Sequence, residues 1–254
     1  MLVTGDYHMH TTYSDGRATV AEMVAAGRRA GLAEVAITDH GPRNIGVGVA
    51  SPATYRRIRQ EVREAETPGG PRVLLGAEAD VLGREGQIDL PEEVYRELDI
   101  LLVGLHPFVW PADAAGGWLV AGNALSRWSR RVWERVRRAN TEALCRCLSR
   151  HPVDVVTHPG LGMPVDVAAV ARACARTGTA YEVNVGHLYQ TVDELRVAAA
   201  EGAFFIVNSD AHFPASVGRL DAGLRLLAEA GVPPERVLNT PAGGGLGGRR
   251  ARLR

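Results

Sequence analysis

The sequence predicts a parallel α/β fold, most simply a barrel. Short runs rich in Val, Ile and Leu recur at 2–7, 34–38, 73–77, 100–104, 153–157, 180–184 and 204–208. They are continuous rather than alternating, as strands buried on both faces read. Segments with helical spacing separate them, so strand and helix alternate along nearly the whole chain.

The individual elements follow from local signals. Thr19-Val20-Ala21-Glu22 has the pattern of a capped helix start, and that helix is expected to end near Gly31. Pro52 suits the first turn of a second helix. Further helices are expected at about 128–149, 165–177, 191–202 and 217–230, with Gly178, Gly202 and Gly231 at C-terminal caps. Two segments break the rhythm. Residues 110–123 (WPADAAGGWLVAGN) read as a loop or lid, and 242–254 (AGGGLGGRRARLR) as a flexible, glycine-rich basic tail. One domain over 1–241 is therefore expected, followed by the tail.

Composition narrows the class. At 254 residues with 46% hydrophobic content, the chain can build a substantial core without disulfides or a structural metal. Its 29 basic and 29 acidic residues cancel, which argues against nucleic acid or an anionic membrane as an obligatory partner. Cys145, Cys147 and Cys174 have no CxxC spacing, so neither a disulfide framework nor a zinc knuckle is indicated, and Cys147 reads as core. The N-terminus lacks a basic region followed by an apolar run, and no later segment reads as a membrane span. A reducing cytoplasm is the expected location.

The chemistry lies in where the polar residues fall. His8, His10 and Asp15 follow the first run, Asp39-His40 close the second, and Glu78 follows the third. His106 follows the fourth, His158 the fifth, and Asp210 and His212 the seventh, while the sixth carries Glu182 and Asn184. Seven of the eight histidines lie at these ends or in the loops after them, and only His151 does not. Barrel enzymes assemble their sites on that edge. Imidazole nitrogens with carboxylate oxygens, and no thiolates, suit hard or borderline metal ions. The set exceeds what one tetrahedral ion needs, so two or three ions sharing a carboxylate, with Glu78 as the bridge, is the economical reading. Ions so bridged sit ~3.5–4 Å apart.

Each motif alone has a plainer reading: Asp39 as a turn cap, His40 as a satisfied loop histidine, His106 and His158 as structural residues before proline. His151, at a helix end before Pro152, is read as structural. Arg43 is either a phosphate contact or a solvated loop arginine. His187 and Tyr189 are candidate pocket residues, and Glu182 and Asn184 either support the barrel floor or hold a ligand. Arg127, Arg130, Arg131, Arg135, Arg137 and Arg138 lie opposite an apolar stripe of Trp128, Val132, Val136, Ala139 and Ala143. That pattern describes a solvated face or a nucleic-acid backbone contact.

Taken in order, His8-Met9-His10, Ser14-Asp15-Gly16, Thr38-Asp39-His40, Gly76-Ala77-Glu78, His106, His158-Pro159-Gly160 and Ser209-Asp210-Ala211-His212 resemble the PHP (polymerase and histidinol phosphatase) superfamily over roughly residues 4–241. Asp39-His40-Gly41-Pro42, Gly86-Gln87-Ile88-Asp89 and Pro234-Glu235-Arg236-Val237-Leu238-Asn239 are most similar to its small stand-alone bacterial phosphatases and to the PHP domain of some family X DNA polymerases. The resemblance implies a distorted seven-stranded (β/α)7 barrel and a trinuclear centre. One ion would take His8, His10, Glu78 and Asp210, a second Glu78, His106 and His158, and a third Asp15, His40 and His212. Some of these phosphatases carry a histidine near the place of Asp15, so an oxygen donor there makes the third site harder and shifts it toward manganese.

The expected activity is hydrolysis of phosphomonoesters by a metal-activated hydroxide, using zinc, manganese or iron. Asp210 and His212 belong to the catalytic set, with Asp39 orienting a ligand histidine. The alternatives are a 3′–5′ exonuclease or DNA-end phosphatase, and a non-catalytic metal-stabilised interaction domain. A small phosphorylated substrate is the expected partner, and the oligomeric state is left open.

Overall fold

A computed structural model describes residues 2–246. Seven parallel strands pair in chain order: β1 (Gly5–Asp6), β2 (Glu34–Ile37), β3 (Arg72–Asp80), β4 (Ile100–Gly104), β5 (Val155–Val156), β6 (Ala180–Asn184) and β7 (Phe204–Asn208). The helices between them are α1 (Val20–Arg29), α2 (Thr54–Ala65), α3 (Glu92–Tyr95), α4 (Ala114–Leu125), α5 (Arg130–Arg150), α6 (Val167–Thr177), α7 (Val192–Ala200) and α8 (Asp221–Glu229). The sheet closes on itself as a (β/α)7 barrel.

Side chains close the seam between β1 and β7 as much as backbone does. At the top, His10 N donates to Ala211 O (2.9 Å) and Ala211 N to His8 O (3.1 Å). Lower down, the Asn239 amide donates to Gly5 O (2.9 Å) and Val207 O (2.6 Å) and accepts from Val207 N (3.1 Å). Asn239 thus stands in for missing strand pairing, satisfying backbone groups that burial would otherwise orphan. This is the distortion of the barrel in physical terms.

Alternation along the strands divides the barrel into layers. Outward positions such as Val35, Ile37, Val73, Leu75, Leu101, Val103, Tyr181, Val183, Phe205 and Val207 pack in the layer shared with the helices. Inward positions Ala36, Leu74, Ile100, Leu102, Val155, Ala180 and Ile206 form a separate apolar plug inside the barrel, joined by Tyr7 and Leu238. Two residues further along the same inward rows stand Thr38, Gly76, Thr157, Glu182 and Asn208, and then His40, Glu78, Asn184 and Asp210.

The expected helices form, with ends shifted by a few residues. Capping boxes of Thr19 with Glu22 and Thr191 with Glu194 open α1 and α7. Gly178, at φ +74°, caps α6 in the left-handed region that glycine adopts without strain.

The segment expected as a loop or lid is instead largely helix α4. Asp113 caps it, accepting from Gly116 N (2.8 Å). Its glycines serve close packing rather than bending. A Cβ at Gly116 would come within 2.2 Å of Leu82 O, and one at Gly122 within 2.9 Å of the Val136 side chain. Trp128 also departs from expectation: it lies in a 3₁₀ turn and is 87% exposed, so the buried stripe of α5 begins at Val136.

The expected tail begins inside a turn that packs on the barrel, where Gly245 N donates to Leu238 O (2.9 Å) and Leu246 joins the plug. Residues 247–254 of that tail lie outside the described residues. Among the described residues no helix is long and apolar enough to cross a membrane.

Candidate metal centre

The inward rows end in a ring of imidazoles and carboxylates at the C-terminal edge of the barrel. Glu78, fully buried on β3, is its hub. Oε2 lies 3.3 Å from His8 Nε2, 3.6 Å from His10 Nε2 and 2.9 Å from His40 Nδ1. Oε1 lies 2.8 Å from His158 Nε2 and 3.4 Å from His106 Nε2, and accepts from Thr157 Oγ1 at 2.9 Å. The two oxygens therefore face two different sets of nitrogens.

Asp210 Oδ1 sits 3.2 Å from His10 Nε2 and 3.5 Å from His8 Nε2. On the other side, His212 Nε2 is 3.2 Å from Asp15 Oδ2, with His10 stacked between His40 and His212 at centroid distances of 4.4 and 4.5 Å. All nine residues expected as metal ligands converge: His8, His10, Asp15, His40, Glu78, His106, His158, Asp210 and His212. Their donor atoms form overlapping groups, among them His10/Asp15/His40/His212, His8/His10/Asp210, His8/Glu78/His158 and His40/Glu78/His106, each within 4.8 Å.

Burial alone would neutralise these carboxylates, and the histidines prevent it. Burial pushes the Glu78 carboxyl up, but His8, His106, His40 and His158 outweigh it and hold it well below the usual range. Asp210 behaves alike, against burial, because of His8 and His10. Burial likewise opposes protonation of His8, yet Asp210, Glu182 and Glu78 raise its imidazole well above normal. His10, deep in the ring beside His40, is lowered by burial first and by that neighbour second. Burial opposes the shifts of the outer pair too, but contact with its partner lowers Asp15 to about 2 and raises His212 to about 9.

Whether these residues fit a cation is decided by the atoms left unmatched. His8 Nε2, both nitrogens of His10 and Glu78 Oε2 are buried with no hydrogen-bond partner among the described residues; the two Nε2 atoms lie within 3.6 Å of Glu78 Oε2, while His10 Nδ1 faces Asp15 Oδ1 at 3.7 Å. Buried polar atoms are rarely abandoned without a ligand. Nitrogen and carboxylate donors without sulfur suit divalent zinc, manganese or iron. The fit is good.

Neighbouring residues set which nitrogen each histidine turns inward. His8 Nδ1 is held by Glu182 Oε1 (2.8 Å), His106 Nδ1 by the Asp80 carboxylate, and His212 Nδ1 by Asp210 O (2.9 Å), which leaves each Nε2 facing the ring. Glu182, unassigned from sequence, is the second hub: its carboxylate also accepts from Asn208 Nδ2 (2.9 Å), His158 N (2.7 Å) and Asn184 Nδ2 (3.2 Å). Asn184 in turn donates to Asp210 Oδ2 (3.0 Å). His158 and Asp210 both have positive φ, at 26° and 51°. Such strain costs on the order of 1–3 kcal/mol and gathers where geometry is over-determined by surroundings. At His158, the bond from its backbone N to Glu182 supplies that determination.

Three expectations need correction. Asp39 does not reach a histidine among the described residues. Its carboxylate accepts from Thr11 N and Thr11 Oγ1 (both 2.7 Å) and Ser14 Oγ (2.5 Å), clamping the loop that carries Asp15. Arg43 donates from Nη2 to Pro111 O (2.9 Å), in the loop after β4, and does not line the cavity. Tyr189 donates to Pro159 O (3.0 Å), bracing the loop after His158 rather than facing substrate.

His187, in contrast, does line the cavity, with Nε2 3.5 Å from Asp210 Oδ2. His151 sits apart, 3.1 Å from Gly86 O, as a structural residue. The arginine face of α5 contributes nothing to the cavity among the described residues.

Sequence reasoning missed Asp80, Asn208 and Thr157. The signal was present: Asp80 stands two residues after Glu78 on β3, hence on the same inward row.

The PHP domain family matches residues 6–158. The chain is 32% identical to a probable phosphatase of Edwardsiella ictaluri, covering 92% of this chain and 89% of that protein. It is also 32% identical to a probable phosphatase of Caldanaerobacter subterraneus subsp. tengcongensis, covering 92% and 86%. In fold it is similar to a histidinol phosphate phosphatase from Lactococcus lactis, solved with zinc, L-histidinol and phosphate, at TM-score 0.61 and 17% identity over 92% of this chain and 95% of that one. With its ordered histidines and carboxylates gathered at one end of a seven-stranded barrel, this chain belongs to the PHP family.

Proposed function

We propose that the protein is a metal-dependent phosphatase acting on small phosphomonoesters at a site that holds more than one divalent cation. The observation that carries this reading is Glu78, whose two oxygens face separate sets of imidazoles. His8, His10 and Asp210 would hold one ion with Glu78, and His106 and His158 another. Asp15, His40 and His212 would hold a third. When bound, divalent ions supply positive charge for phosphoryl oxygens and an acidified water as nucleophile.

The protein's own groups do the rest. Glu182 and Asp80 hold His8 and His106 with Nε2 facing inward, and Asp39 fixes the Asp15 loop. His187, on the cavity wall beside Asp210, would contact substrate. The histidines must shed their protons to ligate, so loading releases protons and weakens at low pH. Names of relatives support the phosphatase reading, and the 1–241 segment is proposed as its single domain.

The test is release of phosphate from a nitrophenyl ester by protein that has been stripped with chelator and reloaded with zinc or manganese. Activity should vanish on stripping, return on reloading and be absent in Asp210→Ala. Full activity after verified metal removal would overturn the reading.

A further inference from the structure

We infer that Asp6 is a positioning residue for the ring, holding the loop after β7 so that Asp210 and His212 reach their places. This rests on the phosphatase reading above and adds a residue which that reading leaves unused. Asp6 ends β1, is fully buried, and hydrogen-bonds to no ring side chain among the described residues.

Its carboxylate instead crosses the seam. Oδ1 accepts from Ser209 N (3.1 Å), and Oδ2 accepts from the Ser209 hydroxyl and from Gly218 N (2.9 Å). One side chain thus pins both ends of the 209–218 segment. Between those ends lie Asp210 and His212, together with Phe213 and Ser216 of the cavity wall.

Two observations set this apart from ordinary packing. Asp210 has φ +51°, a conformation that a residue other than glycine keeps only where its surroundings impose it. His158 takes that constraint from Glu182, whereas Asp210 follows directly on Ser209, which Asp6 holds at both backbone N and hydroxyl. In addition, β1 and β7 do not pair among the described residues, and the Met9–Ala211 bridge lies beyond their ends. Just beneath the ring, the seam is carried by side chains: Asp6 to Ser209, and Asn208 Oδ1 accepting from Tyr7 N (3.1 Å).

The two oxygens matter here, not only the volume. All three partners are donors, and the two backbone N–H groups face different oxygens. Asparagine would fill the same space, but in either orientation its NH2 would meet one of those N–H groups.

The experiment loads wild type, Asp6→Asn and Ser209→Ala with zinc and follows zinc loss to a competing chelator, alongside amide hydrogen exchange. Asp6→Asn should surrender zinc about 10–100-fold more readily, with faster exchange confined to 209–218 while α5 is unchanged. Ser209→Ala removes only the hydroxyl arm and should shift both measurements in the same direction by less.

Zinc retention equal to wild type in folded Asp6→Asn overturns the inference and leaves the phosphatase reading standing. So does exchange that quickens equally throughout the barrel, the mark of a merely structural role. Should Asp6→Asn fail to fold, unchanged retention and unchanged 209–218 exchange in Ser209→Ala overturn it instead. Wild type that binds no zinc overturns the phosphatase reading, and exchange in 209–218 still judges Asp6.

Discussion

The two ends of the barrel interior are built from the same strands and by the same alternation, yet they are chemically opposite. The lower half is the plug of Ala36, Leu74, Ile100, Leu102, Val155, Ala180 and Ile206. The upper half buries Glu78, Glu182, Asp210 and His8 at the ends of equivalent rows. Apolar burial stabilises the lower half without partners, whereas every buried charge above requires an opposite charge or a cation. The lower end therefore holds the fold and the upper end exploits its rigidity.

Two glycines mark the boundary. A Cβ at Gly76 would fall 2.6 Å from Ile100 and 2.7 Å from Thr38, and one at Gly104 would fall 2.5 Å from Thr157 Oγ1 and 3.1 Å from His106. Strand rows pass from packing to ligation only because these positions are empty of side chain.

Substitutions can separate the halves. The largest effect is expected from Glu78→Gln, which should reduce turnover by about a thousandfold while the protein stays folded by circular dichroism. Leu102→Ala should cost about 2–5 kcal/mol in denaturant unfolding, yet retain activity per folded molecule. Loss of activity without loss of stability in Leu102→Ala would erase the distinction. Glu182→Gln should weaken metal retention against a competing chelator by about 10–100-fold, because His8 loses its anionic support while side-chain volume is kept.

A separate effect, read as a slope against pH, concerns Asp89, which lies beside the ring. Its carboxylate accepts from Asp80 N (2.9 Å) and Arg43 N (3.1 Å). Burial, then the charge of Asp80, pushes its carboxyl up to about 8. Folding thus favours the protonated form: the stabilisation is complete below about pH 4 and is lost as pH rises through about 8. Asp89→Asn should flatten that decline in unfolding curves collected across the interval, and a decline identical to wild type would remove Asp89 as its source.

Much of this was legible beforehand because both ends leave periodic marks. Continuous apolar runs announced strands buried on two faces, and the ligand types fell just past each run. What was left open, as at Glu182, or missed, as at Asp80, depended on contacts across the fold. Glu182 and Asp80 are single acidic residues whose partners, His8 and His106, lie 174 and 26 positions away. Asp39 sits beside a ligand in sequence but turns to Thr11 and Ser14. The glycines of α4 read as breakers because nothing local reveals the neighbours they make room for.

The most direct test of the central claim is a count of tightly bound divalent ions per chain, by elemental analysis after reloading and exhaustive dialysis, in wild type and in Glu78→Gln. More than one ion in the wild type, falling in the variant along with phosphatase activity, is the predicted result. One ion or none in a fully active wild type, or an unchanged count in the variant, would contradict a shared-carboxylate centre.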